Sequence, residues 1–102
     1  MTTDAKFFER ADAHIDLSNE QMSDTSSGKV SASTMYAAAR FNAWVSAKGF
    51  ESGADMAEAK AETVEYFVAE YRKMLEENLE DYIKKFDRYM KGKSEKDGNA
   101  DA

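Results

Sequence analysis

The chain has 102 residues, 42% hydrophobic and 33% charged, with a formal net charge of −6 and neither Pro nor Cys. That size suits one small domain with a modest core, and the lack of Cys excludes disulfide staples and thiolate metal sites. The acidic balance argues against nucleic acid as a partner, because phosphate binding needs basic patches that displace counterions. The N-terminal "MTTDAKFFERADAH" has no apolar run of signal-peptide length, and no segment approaches a membrane span. A cytoplasmic location without a membrane partner is the expectation.

A chain without Pro has few enforced breaks, and residues 4 to 25 read as a first helix that Asp4 can cap. At about 100° per residue, Phe8, Ala11, Ile15, Ser18 and Met22 share one arc with Phe7 beside them. Glu9, Asp12, Asp16 and Glu20 take the opposite side. "TSSGK" at 25 to 29 is a turn cluster. Ser31 or Ser33 can cap a second helix that runs to about Lys48. Gly49 follows as a left-handed residue past the helix end, with Phe50 placed for a contact back onto the last turn. "SGAD" at 52 to 55 is a capping box with Asp in place of Glu.

From Gly53 to Lys91 the sequence holds no helix breaker. Val64, Val68, Tyr71, Leu75, Tyr82, Phe86 and Tyr89 fall within one arc of roughly 60° at helical spacing. The reading is one helix of about 55–60 Å over 53–91. The tail from 92 to 102, "GKSEKDGNADA", is polar and aperiodic and is expected to be disordered.

Charge is distributed unevenly. Residues 25 to 50 hold three bases and no acid, whereas the segments on either side are each net negative. The second helix is therefore a basic element between two acidic ones, and it is apolar nearly all round, as central helices are. Arg40 has no carboxylate in its own helix. If the first two helices are antiparallel across the turn at 25 to 30, residues whose numbers sum to about 56 lie level. Arg40 then falls opposite Asp16, with Asp12 one turn away. The expectation is a structural ion pair of Arg40 with Asp12 or Asp16.

The second turn, at 49 to 52, leaves the third helix overhanging the other two beyond about residue 69. Tyr71, Leu75, Leu79, Tyr82, Phe86 and Tyr89 lie on that overhang, roughly 30 Å of apolar helix with no partner in its own chain. One resolution is a break near Asn78 and a fold-back into four helices; "EENLED" offers no Gly or Pro for it. The preferred resolution is antiparallel pairing of third helices from two chains, with those six residues as the oligomer interface.

Signs of chemistry are few. His14 is the only His and sits at the edge of the first helix's apolar arc, where packing is its ordinary role. The Glu-x-x-His pattern of di-iron bundles is absent, as are a phosphate-binding glycine loop and a nucleophile motif. The aromatics, at helical spacing, read as core. No metal site or cofactor is expected. One polar constellation survives, His14, Asn19, Arg40 and Asn42 with Tyr36, near or between the first two helices, where a small acid or phosphate can be accommodated.

"FFERADAHIDLSNEQ" at 7 to 21 and "GKVSASTMYAAARFNAWV" at 28 to 45 together resemble a family of small proteobacterial proteins of unknown function. The likeness continues through "ETVEYFVAEYRKMLEENLEDYI" at 62 to 83. The resemblance implies a bacterial source and a helical protein with no established activity; it supplies no catalytic residues.

The fold expected is all-α: three antiparallel helices with a very long third, completed by oligomerisation. The function expected is a non-catalytic homo-oligomeric interaction or scaffold protein whose partner is itself. The alternative is a protein that binds a small anionic ligand through the polar cluster around Arg40. An enzyme is the least supported reading.

Overall fold

The computed structural model describes residues 3–91. Every regular element among them is helical: α1 (Phe7–Gln21), α2 (Ser27–Ala47), α3 (Gly53–Glu58), α4 (Lys60–Lys84) and a closing π-helical turn (Asp87–Lys91). The segment from 92 onward, expected to be disordered, lies outside the described residues.

Capping decides where these helices begin. The backbone of Asp4 precedes α1, and its side chain accepts from the Lys6 N–H at 3.0 Å and pairs with Arg10 at 2.8 Å. That local bond holds the chain in a turn and delays the helix to Phe7. The Arg10 hydrogen bond keeps the Asp4 carboxyl below its ordinary range. α1 ends at Gln21, not 25, in short-range bonds from the N–H groups of Ser23 and Asp24 to the carbonyls of Glu20 and Gln21.

α2 is capped by Ser26, not by Ser31 or Ser33. The Ser26 backbone is extended, and its side chain accepts from the Lys29 N–H at 3.3 Å. The helix therefore starts four residues earlier than expected, with Gly28 inside its first turn. At its other end Gly49 is not left-handed: no described glycine has positive φ. The N–H groups of Gly49 and Phe50 bond to the carbonyls of Ser46 and Ala47, so the last turn tightens instead of reversing hand. Phe50 is half-buried.

Ser52 caps α3 as the capping-box reading requires, accepting from the Asp55 N–H at 3.1 Å. The single helix expected over 53–91 is interrupted twice. At Ala59 the backbone is at φ −95°, ψ 3°, and the Ala59 carbonyl takes both the N–H and the hydroxyl of Thr63, at 3.0 and 2.9 Å. At Lys85, φ −116° and ψ 30° end α4. α4 passes unbroken through Asn78, whose amide donates to the Met74 carbonyl at 2.8 Å; the fold-back at that position does not occur.

Packing within the chain is sparse. Among the described residues only Val30 is buried, at 5% exposure. It sits in the first turn of α2, near the point where Ser18 of α1 meets Thr34 of α2 at 3.3 Å. The radius of gyration is 16.7 Å, against about 13 Å for a compact chain of this length. Large side chains that helical periodicity would put in a core are exposed, among them Leu75, Leu79 and Phe86 at 42%, 52% and 50%.

Because Ser52 is the only side chain capping the α3–α4 arm, Ser52→Ala is expected to cost about 1 kcal/mol. Urea unfolding of both proteins at one fixed concentration measures it; no difference would mean that the cap bond is not formed in solution.

Candidate interaction groove

α2 and α4 enclose an open groove of about 820 Å³. The α2 wall is built of small residues, Ala38, Ala39, Ala43 and Ser46, with Asn42 among them and Met35 at one end. At about 100° per residue these positions share one arc of α2, roughly 130° away from the arc that carries Val30 and Thr34 toward α1. The opposite wall runs from Met56 and Ala57 through Val64 and Phe67 to Val68 and Tyr71. Its surface is overwhelmingly apolar. The Asn42 side chain is half-buried there, and the Asn42 carbonyl accepts from the Ser46 hydroxyl at 2.9 Å.

Beyond Tyr71 the apolar stripe continues onto Leu75, Leu79 and Phe86, all exposed. Tyr82 and Tyr89 depart from it: their rings stack on each other at 4.6 Å, and the Tyr89 hydroxyl donates to Asp81 at 2.8 Å. The Lys85 ammonium also reaches Asp81, at 3.4 Å. The closing π-helical turn is thereby tied back onto α4. Of the six residues read as an oligomer interface, Tyr71 lines the groove, Leu75, Leu79 and Phe86 are free apolar surface, and the two half-buried tyrosines hold the end of the helix.

The polar constellation drawn from the sequence is spread over several surfaces. Asn42 lines the groove, whereas His14, Tyr36 and Arg40 are exposed outside it, and Asn19 is half-buried on α1. Arg40 is in no ion pair among the described residues, and neither Asp12 nor Asp16 has one. The reason is face. Ser18 lies level with Thr34, a shift of about one turn from the level expected, which places Asp12 instead of Asp16 level with Arg40. Arg40, however, lies about 100° around α2 from the arc that meets α1. Among the described residues no cluster of His, Asp and Glu is arranged to hold a metal ion, and no helix is long and apolar enough to cross a membrane.

The sequence reading missed the groove itself. Its signal was the spacing of Ala38, Ala39, Ala43 and Ser46, small residues on one face of a helix, which were read as part of a uniformly apolar surface.

Two expectations follow from this geometry. The Tyr89 hydrogen bond, foremost, holds the Asp81 carboxyl below its ordinary value of 3.8, with Lys85 adding to it. Stability from this contact is present above the unfolded value and is lost as pH falls through the lower folded-state value. Tyr89→Phe is expected to raise the Asp81 midpoint in an NMR titration toward 3.8; an unchanged midpoint would remove the tie. In a double-mutant cycle of Arg40→Met with Asp16→Leu, the coupling is expected to stay within about 0.5 kcal/mol of zero, whereas a coupling above about 2 kcal/mol would mean that the two groups meet.

Similarity to known proteins follows the helices. No curated protein matches the chain. The solved NMR structure of the protein NB7890A from Shewanella sp. is 41% identical, with a TM-score of 0.72 over 87% of this chain and 95% of that one. Residues 7–83 match the profile of the family described as Protein of unknown function (DUF3144), a span that includes α1, α2, α3 and nearly all of α4, and the chain belongs to that family.

Proposed function

We propose that this protein is a homo-oligomeric, non-catalytic interaction protein. One observation carries the reading: a single described residue, Val30, is buried, while the large apolar residues of α2 and α4 stand in solvent. Ordering a residue costs about 1–2 kcal/mol of backbone entropy. A fully buried large side chain returns about 1.5–3 kcal/mol. One buried valine cannot offset the ordering of 89 described residues, so the missing burial has to come from outside the chain. A second copy is the partner that is always present at matching concentration. Obligate homo-oligomers of this kind have no stable folded single chain, and their stability depends on protomer concentration.

Light scattering at micromolar concentration is expected to give at least twice the chain mass. Leu79→Glu with Phe86→Glu is expected to give single chains or loss of helical signal. A wild-type protein that stays folded at the single-chain mass would defeat the proposal.

A further inference from the structure

Resting on the oligomeric reading, we propose that the α2–α4 groove is the seat for the α4 overhang of a second copy, docked antiparallel about a twofold axis that passes between Lys73 and Met74. The stripe on α4 is self-complementary in this register. Its first half, Val64, Val68 and Tyr71, forms a wall of the groove. Its second half, Leu75, Leu79 and Phe86, is exposed and uncovered. The twofold lays Leu79 level with Val68 and Leu75 within one residue of the level of Tyr71, in both directions at once. An isologous contact of this kind closes after two copies.

The groove has the lining that an incoming helix needs. Small side chains at Ala38, Ala39 and Ala43 let helix axes approach toward the lower end of the usual 8–10 Å. The overhang from 72 to the end of α4 is about 20 Å long, close to the roughly 17 Å that α2 spans from Met35 to Ser46.

Charge agrees with the docking. Residues 76 to 81 carry Glu76, Glu77, Glu80 and Asp81 without a base, whereas the charged residue that lines the groove is a base, Lys60. Near the twofold, Arg72 and Glu76 lie on the same flank of the stripe, both exposed, and neither is in an ion pair among the described residues. The twofold sets Arg72 of each copy level with Glu76 of the other.

The test uses the full chain, which has no cysteine of its own. Val68→Cys and Leu79→Cys proteins are mixed, allowed to exchange and oxidised, and the products are separated by mass spectrometry. The mixed 68–79 disulfide is expected to dominate, because two copies of either cysteine would lie about 16 Å apart along the helices. Homodisulfides in equal or greater yield would overturn the register. Ala39 is exposed in the single chain, so Ala39→Trp has room until a second copy arrives; dimer affinity is expected to fall at least about tenfold with helical content retained, a loss of one hot-spot contact or more. Unchanged affinity would overturn the groove as the seat. Arg72→Glu is expected to weaken dimerisation up to about fivefold at each of the two contacts, and adding Glu76→Arg to restore it. Failure of the second change to restore affinity would count against the twofold. A wild-type single chain in light scattering defeats the oligomeric reading and this seat with it, whereas an oligomer lacking the 68–79 link defeats the seat alone.

Discussion

The structure depends on one constraint: these helices present more apolar surface than their own chain can cover. A helix stays folded in water mainly because one face is packed away, since propensity alone is marginal for segments of this length. Here α1 and α2 share one small contact around Val30, and α4 extends past both. α2 and α4 nonetheless show well-defined ends and long uninterrupted bonding, 21 and 25 residues each. Such helices, with a single buried residue among the described ones, are the physical ground of the proposed function.

Capping sets the geometry of that uncovered surface. Ser26 and Ser52 each satisfy one N–H at a helix start, and between them they set where α2 begins and where the α3–α4 arm leaves it. Displacing the start of α2 by one turn rotates none of its faces but slides all of them along α1. The Ser18–Thr34 contact follows from that slide, whereas the exposure of Arg40 follows from the face of α2 on which it sits. The irregularity at Ala59 then sits where α3 passes into α4, beside Met56 and Ala57 on the groove wall. Local bonds of serine side chains thus determine which apolar residues face each other.

The helical class, a turn between the first two helices and the break before Ser52 were legible in the sequence, because they rest on periodicity and on turn chemistry that act locally, although the first helix ends at Gln21 and not at 25. So was the apolar overhang, whose spacing persists from Val64 to Phe86. What escaped was choice among equivalent local signals. Ser26, Ser31 and Ser33 are all competent caps, and only the packing of α2 on α1 selects the first. Ala59 is the best helix former there is, so nothing in its identity announces an interruption, and the Thr63 back-bond is no signal of one, since Thr34 and Ser46 make the same bond within an unbroken α2. The candidate site was legible only in part, since the α4 stripe is a periodic signal while the groove exists only when two helices diverge. The ligand cluster around Arg40 failed for the same reason: its residues are near in sequence level but lie on different faces.

Arg40 and the aromatics around it then find a physical account in the third face of α2. One arc meets α1 and another lines the groove, which leaves Tyr36, Arg40 and, at its margin, Trp44 on a surface that no described element covers. Tyr36 is 67% and Trp44 57% exposed. Left purely apolar, that face would be a patch of the kind that drives unselective association. Two cations temper it. The Lys48 ammonium lies 4.9 Å from the Trp44 ring centre, shielding it with a cation–π contact, and Arg40 brings a charge that cannot be neutralised at physiological pH. A buried guanidinium would need acceptors, and a helix without one acid on it supplies none. An exposed guanidinium needs only water. The charge therefore belongs on a face of α2 that neither the α1 contact nor the groove occupies, where it makes that surface costly to dehydrate.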